Sequence, residues 1–301
     1  MSVRSREHSH RIADIHVRLR LPEELSGFSL TEIYEAFRYS GPEPPDLAIT
    51  IRLETPPPTP ERPLFSPGSV WQIYERNGTT LIATTVPREG GGFCVDRLGI
   101  FAEDFRSGEL YLPPESYRPV AAADGTYTSR FPLTYPMDEL IFIHLLSKGR
   151  GLELHGCGVS MNGEGLLFIG TSGSGKSTMG RLMGMRPNVV VLSDDRIIVR
   201  QIEGRWRMFG TPWHGTARAF SPARAELKKI FVLRHAAAND VRPLSRVQGA
   251  SMLVARSFPT YWDPAGMEFT LNLVSNLSDQ IPIYELGFAP TPACVDFVRG
   301  V

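Results

Sequence analysis

The sequence predicts an α/β protein in two parts, a β-rich α+β domain over residues 1–135 and an α/β domain with a mixed sheet over 136–301. Three observations predict it. Up to Tyr135, short runs alternate apolar with polar residues, and Pro- or Gly-rich stretches separate them. From Pro136 onward, helix-like segments lie between continuous apolar runs. Over 166–184, an apolar run, a glycine-rich loop and a helix-like segment follow one another directly.

In the first part, DIHVRLRL and LAITIRLE alternate as half-buried strands do, and so do SVWQIYER and TTLIATTV. SLTEIYEAFRYS, between the first two, reads as a short helix. TPPPTPERPLFSPGS holds too much proline for an element interior and is expected to be a loop, and REGGGF, near Gly90, a turn. His8, His10 and His16 would suit a metal, but a mobile polar terminus is the reading preferred here.

In the second part, PMDELIFIHLLSK carries helix signals: a proline before the first turn, acids within it and a lysine near its end. GLELHGCGVS and GLLFIG read as two strands joined by MNGEG, whose Asn162-Gly163 pair favours a tight hairpin. They are therefore expected to be antiparallel. STMGRLMGM reads as a helix, NVVVLSDD as a buried strand ending in two acids, and IIVRQIEGRWRMFG as a hairpin turning at Glu203-Gly204. KKIFVLRH and IPIYELGF read as strands, with the helices SRVQGASMLVARSF and DPAGMEFTLNLVSNLSDQ between them and PACVDFVRG closing the chain. Asp263 and Pro264 supply the cap and first position of the second of these helices.

The loop GTSGSGKST matches G-x-x-x-x-G-K-[ST], the Walker A or P-loop pattern, in its required strand-to-helix context. Gly170, Gly173 and Gly175 are expected to permit positive φ and a close backbone approach. Peptide N–H groups from Gly173 to Thr178 would cradle a polyphosphate at the helix N-terminus, and Gly170, Thr171, Ser172, Gly173, Ser174, Gly175, Lys176, Ser177 and Thr178 together are the nucleotide-binding candidates. Lys176 would neutralise its terminal phosphates and Ser177 would ligate the accompanying Mg²⁺. ATP with Mg²⁺ is the ligand expected. The alternative is a flexible loop capped by Ser177.

Asp194 and Asp195 end an apolar strand one helix after the loop, where a Mg²⁺ partner and a proton acceptor are both useful. The structural alternative is a turn in which Asp195 pairs with Arg196. His155 lies mid-strand beside the strand that enters the loop; a core histidine is its ordinary reading, a place near the phosphates its functional one. His214, in FGTPWHG, is a candidate on the acceptor side.

Acidic and basic residues balance at 32 each, which gives no bulk charge for nucleic acid or an anionic membrane. Cys94, Cys157 and Cys294 are too few and too scattered for a disulfide framework or a zinc site, and buried free thiols are expected. No apolar run suits a signal peptide or a membrane span, so a cytoplasmic location is expected. A homo-oligomer stays open.

LHGCGVSMNGEGLLFIGTSGSGKSTMGRLM followed by VLSDDRIIV resembles the HPr kinase/phosphorylase group, related to the nucleotide domain of phosphoenolpyruvate carboxykinases. The resemblance spans about Asp138 to Phe220 and places His155, Lys176 and Asp194 at the group's histidine, lysine and proton-accepting aspartate. It implies a serine kinase in which Asp194, His155 and Lys176 are catalytic, and Ser177 and Asp195 hold the metal. Two features depart from the group. Its downstream E-[VI]-R-G-L-G segment, which supplies a metal-binding glutamate, is absent, and its late arginine motif is not recognisable. The N-terminal part does not resemble that of HPr kinases, so a divergent branch acting on serine of a peptide or small protein is implied. A small-metabolite kinase and a nucleotide-dependent binding module are the alternatives.

Overall fold

The computed structural model describes residues 6–25, 30–68, 70–87, 93–114, 120–121, 127–128 and 131–301. The turn expected over 88–92 lies outside them. The chain divides into two compact units, Met1–Phe142 and Ile143–Val301.

The first unit holds strands β1 (Arg6–Ile12), β2 (Ile15–Leu21), β3 (Leu47–Arg52), β4 (Trp71–Arg76), β5 (Thr79–Pro87), β6 (Phe93–Phe101) and β7 (Ser107–Tyr111), with a short helix α1 (Glu32–Ala36). They form one mixed sheet in the order β1-β2-β3-β7-β6-β5-β4. β8 (Val120–Ala121) and β9 (Tyr127–Thr128) form a separate pair. Val17, Leu19, Leu47, Ile49, Ile51, Leu98 and Leu110 are buried, as alternating patterns on a half-covered sheet require. The proline-rich stretch forms no strand or helix, yet Phe65 bridges to Ile73 and covers part of edge strand β4.

β6 and β7 escape a pattern reading because glycine interrupts their alternation. The interruption has a steric cause. A Cβ on Gly99 or Gly108 would lie 2.5 Å from the ring of Phe101, which is wholly buried.

The N-terminal histidines overturn the expectation of a mobile terminus. His8, His10 and His16 are 5%, 4% and 2% exposed on β1 and β2. The two strands pair along their length through a turn at Ala13-Asp14, both with positive φ. His8 Nε2 lies 3.0 Å from His10 Nε2, and both rings meet Phe131 edge-on. No metal-binding group of three or more His, Cys, Asp or Glu exists among the described residues.

Helix α2 (Met137–Ser147) contains the boundary between units. Leu140 to Leu146 are all buried, so the helix is covered around its circumference.

The second unit contains β10 (Leu152–Met161), β11 (Glu164–Ile169), α3 (Lys176–Gly184), β12 (Val189–Ser193), β13 (Arg196–Ile202), β14 (Arg205–Phe209), β15 (Arg224–His235), β16 (Asp240–Pro243), α4 (Arg246–Val254), α5 (Pro264–Gln280), β17 (Ile283–Phe288) and α6 (Ala293–Gly300). β10 and β11 are antiparallel across Asn162-Gly163, whose φ values of 54° and 84° are those of a tight hairpin. β11, β15 and β17 are parallel, so the sheet is mixed. Because β10 pairs with β13, β13 with β14, β14 with β15 and β15 with β11, five strands close on themselves.

LLFI on β11 is continuous rather than alternating because both faces are covered. Leu167 and Ile169 face a core completed by Leu253 of α4 and by Leu273 and Leu277 of α5. Leu166 and Phe168 face one completed by Met179 and Met183 of α3 and by Cys294 and Val298 of α6. β12 is less buried than expected: β10 is its partner among the described strands, and Val190 is 47% exposed. Of the cysteines, Cys157 and Cys294 are buried, but Cys94 is exposed. No helix among the described residues is long and apolar enough to cross a membrane.

Burial lowers two histidines strongly, His10 to about 3 and His144 to about 4. Both therefore stay neutral in the folded chain while the unfolded chain protonates near pH 6.5. Unfolding then takes up protons below that pH, so stability falls as pH falls, by roughly 2 kcal/mol per histidine between pH 6.5 and 5. Thermal melts across that range should show the loss, and His10→Gln should show a shallower one. An unchanged slope in the variant would remove His10 from the account.

Candidate functional site

The site begins at the end of β11. The chain leaves Ile169, turns through Gly170–Gly175 and enters α3 at Lys176. The three glycines serve different purposes. Gly173 and Gly175 have φ of +77° and +98°, which L side chains resist. Gly170 does not have positive φ, contrary to expectation. It is confined sterically, since a Cβ there would lie 2.3 Å from Ser174 Oγ and 3.3 Å from the Leu233 carbonyl oxygen. Gly175 is confined twice, because a Cβ would also meet the Phe288 ring at 2.5 Å. His235, at the end of β15, reaches the Gly173 carbonyl at 2.7 Å and steadies the loop.

Lys176 is buried, and its Nζ donates to the carbonyls of Gly170 and Thr171, both at 3.1 Å. Desolvation holds its pKa below the usual lysine value; the Arg256 and Arg196 charges lower it further, and Asp195 opposes the shift. A cleft of about 410 Å³ is lined by Ser172, Gly173, Gly175 to Thr178, His155, Asp194, Asp195, Gly215 and Thr216. It gathers the glycine-loop backbone, the lysine, the Ser177 hydroxyl and two carboxylates. Those groups fit a Mg²⁺-nucleotide: Ser177 and Asp195 offer hard oxygens for Mg²⁺, and the loop and Lys176 suit phosphates.

The two acids occupy a corner rather than a simple turn. β12 and β13 both pair with β10, one after the other, so they act as a single partner strand broken at Asp194-Asp195. Ser193 staples the break: its Oγ accepts from the amides of Asp195 and Arg196, both at 3.2 Å, and donates to the Trp213 carbonyl at 3.1 Å. Asp195 O accepts from the amide of Gly156 on the facing strand.

Asp194 departs from the expected division of labour. It is 2% exposed, and its carboxylate accepts three backbone N–H groups, from Gly215 at 2.9 Å, Ala217 at 3.0 Å and Ala219 at 3.2 Å. A carboxylate occupied this way anchors the loop after Trp213 and is poorly placed to take a substrate proton. Asp195 is the more open of the pair. Its Oδ1 lies 3.2 Å from His155 Nδ1, and its Oδ2 accepts from Arg196 Nη1 at 2.5 Å. Burial opposes ionisation of Asp195, but the His155 bond and the Arg196 and Lys176 charges outweigh it and hold the carboxyl below its usual range.

His155 therefore reaches the site as its functional reading required. Its Nδ1 can donate to Asp195 or accept from Arg196 Nη1 at 3.0 Å, but not both in one tautomer. When it accepts from Arg196, its proton lies on Nε2. His214 is not brought in. Its Nδ1 contacts the neighbouring Gly215 carbonyl, its ring faces Phe220, and it does not line the cleft.

Other residues carried no motif to reveal them. Glu153, 1% exposed, forms an ion pair with Arg196, whose guanidinium stacks over Phe258. Arg256 to Phe258 lie along β10 beside His155, where His155 N donates to Arg256 O at 2.7 Å and Phe258 N to Glu153 O at 3.1 Å. Only the contact between chain segments remote in sequence exposes their role.

A glycine-rich loop, a reaching lysine and an acid–histidine pair thus stand together in a unit with a mixed sheet. The family model described as SynChlorMet cassette protein ScmC matches residues 137–288, half of the chain. The chain belongs to that family. No curated protein matches it. Among solved structures, the Hpr(Ser) kinase/phosphatase from Coxiella burnetii is similar, at 11% identity and a TM-score of 0.30, over 49% of this chain and 94% of that one.

Asp194→Asn keeps the size of the side chain but sets an NH₂ against one of the three amides. It should destabilise the fold by roughly 1–3 kcal/mol, as a buried hydrogen-bonding conflict does. Asp195→Asn should cost about 1 kcal/mol or less, since its partners are half-open. Denaturant midpoints of both variants check the order, and a reversed order would contradict the anchoring role of Asp194.

Proposed function

We propose that the second unit is an ATP-dependent kinase that transfers the γ-phosphoryl group to a hydroxyl, most simply serine on a peptide or small protein. The observation that carries it is the convergence of Lys176, Ser177, Asp195 and His155 on one cleft at the glycine loop. The sequence resemblance to the HPr kinase/phosphorylase group supports the same chemistry.

The backbone amides at the start of α3 and Lys176 would bind and orient the phosphates. Ser177 and Asp195, which line the same cleft, would hold Mg²⁺, and the ion would supply neutralisation of phosphate charge. Asp195 would accept the proton of the incoming hydroxyl as its oxygen attacks phosphorus, while the bond to the leaving ADP oxygen breaks. Proton acceptance, which the sequence reading gave to Asp194, thus passes to Asp195 in addition to the metal role it already had. His155 would orient Asp195 and the acceptor, and Asp194 would hold the loop that brings Gly215 and Thr216 to the cleft wall.

One observation favours a second reading, a nucleotide-dependent binding module. Asp195 is already paired with Arg196 at 2.5 Å, and such a pair weakens a base. Phosphate incorporation separates the readings.

Lys176→Ala removes the positive charge over the phosphates and should weaken Mg·ATP binding ten-fold or more by calorimetry. Equal affinity in the variant would sink nucleotide binding at this loop. Incorporation of label from γ-labelled ATP into arrayed serine peptides should fall by about 10²–10⁴ in Asp195→Asn. ATP bound without any incorporation by the unaltered protein would favour the binding module.

A further inference from the structure

A second cleft, of about 490 Å³, lies on the other side of His155. Gly170, Thr171 and Ser172 form one wall, and Arg196 with Ala255 to Phe258 form the other. His155 and Ser172 line both clefts, so the two meet at the acid–histidine pair. The volume suits a short peptide segment or a side chain with its neighbours.

The two arginines of this wall differ in kind. Arg196 is engaged by Glu153 and Asp195 and stacked over Phe258. For Arg256, the described side-chain contact is Nη1 to the Met252 sulfur at 3.6 Å, and no carboxylate among the described residues forms an ion pair with it. Its backbone is fixed, since Arg256 O accepts from His155 N and Ser257 bridges to Leu154. A half-buried guanidinium on a pinned segment, with one donor on a weak sulfur acceptor and no ion-paired carboxylate among the described residues, has a donor fork that matches an oxyanion.

We propose that this second cleft is the acceptor's subsite and that Arg256 binds a carboxylate carried next to the phosphorylated hydroxyl. The acceptor is then an acidic-flanked serine segment rather than a neutral one. The assignment rests on the phosphotransfer reading above for its direction, but the binding it requires is separable. The carboxylate has two sources, an acidic side chain or a chain terminus, and both would use the same fork.

The test measures binding by calorimetry to the full chain, with and without a non-hydrolysable Mg·ATP analogue. Three probes are used: an amidated hexapeptide with Glu beside Ser, its Gln counterpart, and the Gln peptide with a free terminal carboxylate. The Glu peptide should bind at least ten-fold more tightly than the amidated Gln peptide. Arg256→Gln should erase that difference while analogue affinity stays within two-fold, and Arg256→Lys should keep part of it. A preference for the free terminus instead of Glu would retain the carboxylate site and assign its source to a chain end. Equal binding of all three peptides, or no binding of an acidic one at millimolar concentration, would overturn the proposal. Loss of analogue affinity in Arg256→Gln would overturn it too, since Arg256 would then serve the nucleotide. Failure of the analogue to bind the unaltered protein, with the peptide preference intact, would reject the nucleotide reading alone.

Discussion

The second unit depends on one break in one strand. β12 and β13 share β10 as partner, and the ladder is interrupted where Asp194 and Asp195 stand. An interrupted ladder leaves backbone groups that must find other partners. Ser193 takes two amides, Asp194 takes three from the following loop, and the Asp195 carbonyl takes the amide of Gly156. With those satisfied, both acids line the cleft, and Asp195 is the one whose carboxylate is not taken up by backbone amides. The chemistry of the site is thus a by-product of how a broken strand is repaired.

Close approach imposes the second constraint. The glycine loop fits because Gly170 avoids Ser174, and Gly175 avoids Phe288 while adopting positive φ. On β10, Gly158 avoids Ile197, and on α3, Gly180 avoids Cys157, whose thiol burial pushes up to about 12. Gly180 against Cys157 lets α3 sit tightly on the sheet. Burial also keeps Cys157 a packing group rather than a nucleophile.

Much of the fold was legible because its signals are local. Asn162-Gly163 and Glu203-Gly204 mark hairpins through residues that tolerate positive φ, and Asp263-Pro264 marks a helix start, all independently of tertiary context. Legibility failed where packing overrides pattern. Glycines fitted to Phe101 conceal β6 and β7, and the aromatic surroundings of His8 and His10 turn a polar terminus into buried strand. The four-residue β16 is too short to carry periodicity, and the turn at Ala13-Asp14 lacks a glycine.

By itself the sequence determined the glycine loop with its lysine and serine, the hairpin that delivers it, and the presence of a histidine and two acids nearby. Those features reside in contiguous residues whose spacing fixes their geometry. The tertiary structure alone decided that Asp194 is taken up by three backbone amides while Asp195 meets His155 and Arg196, that His214 stays out of the cleft, and that Glu153, Arg196 and Arg256 lie beside His155. The reason is that side-chain direction at a corner, and contact between residues a hundred positions apart, depend on strand pairing that no local pattern encodes.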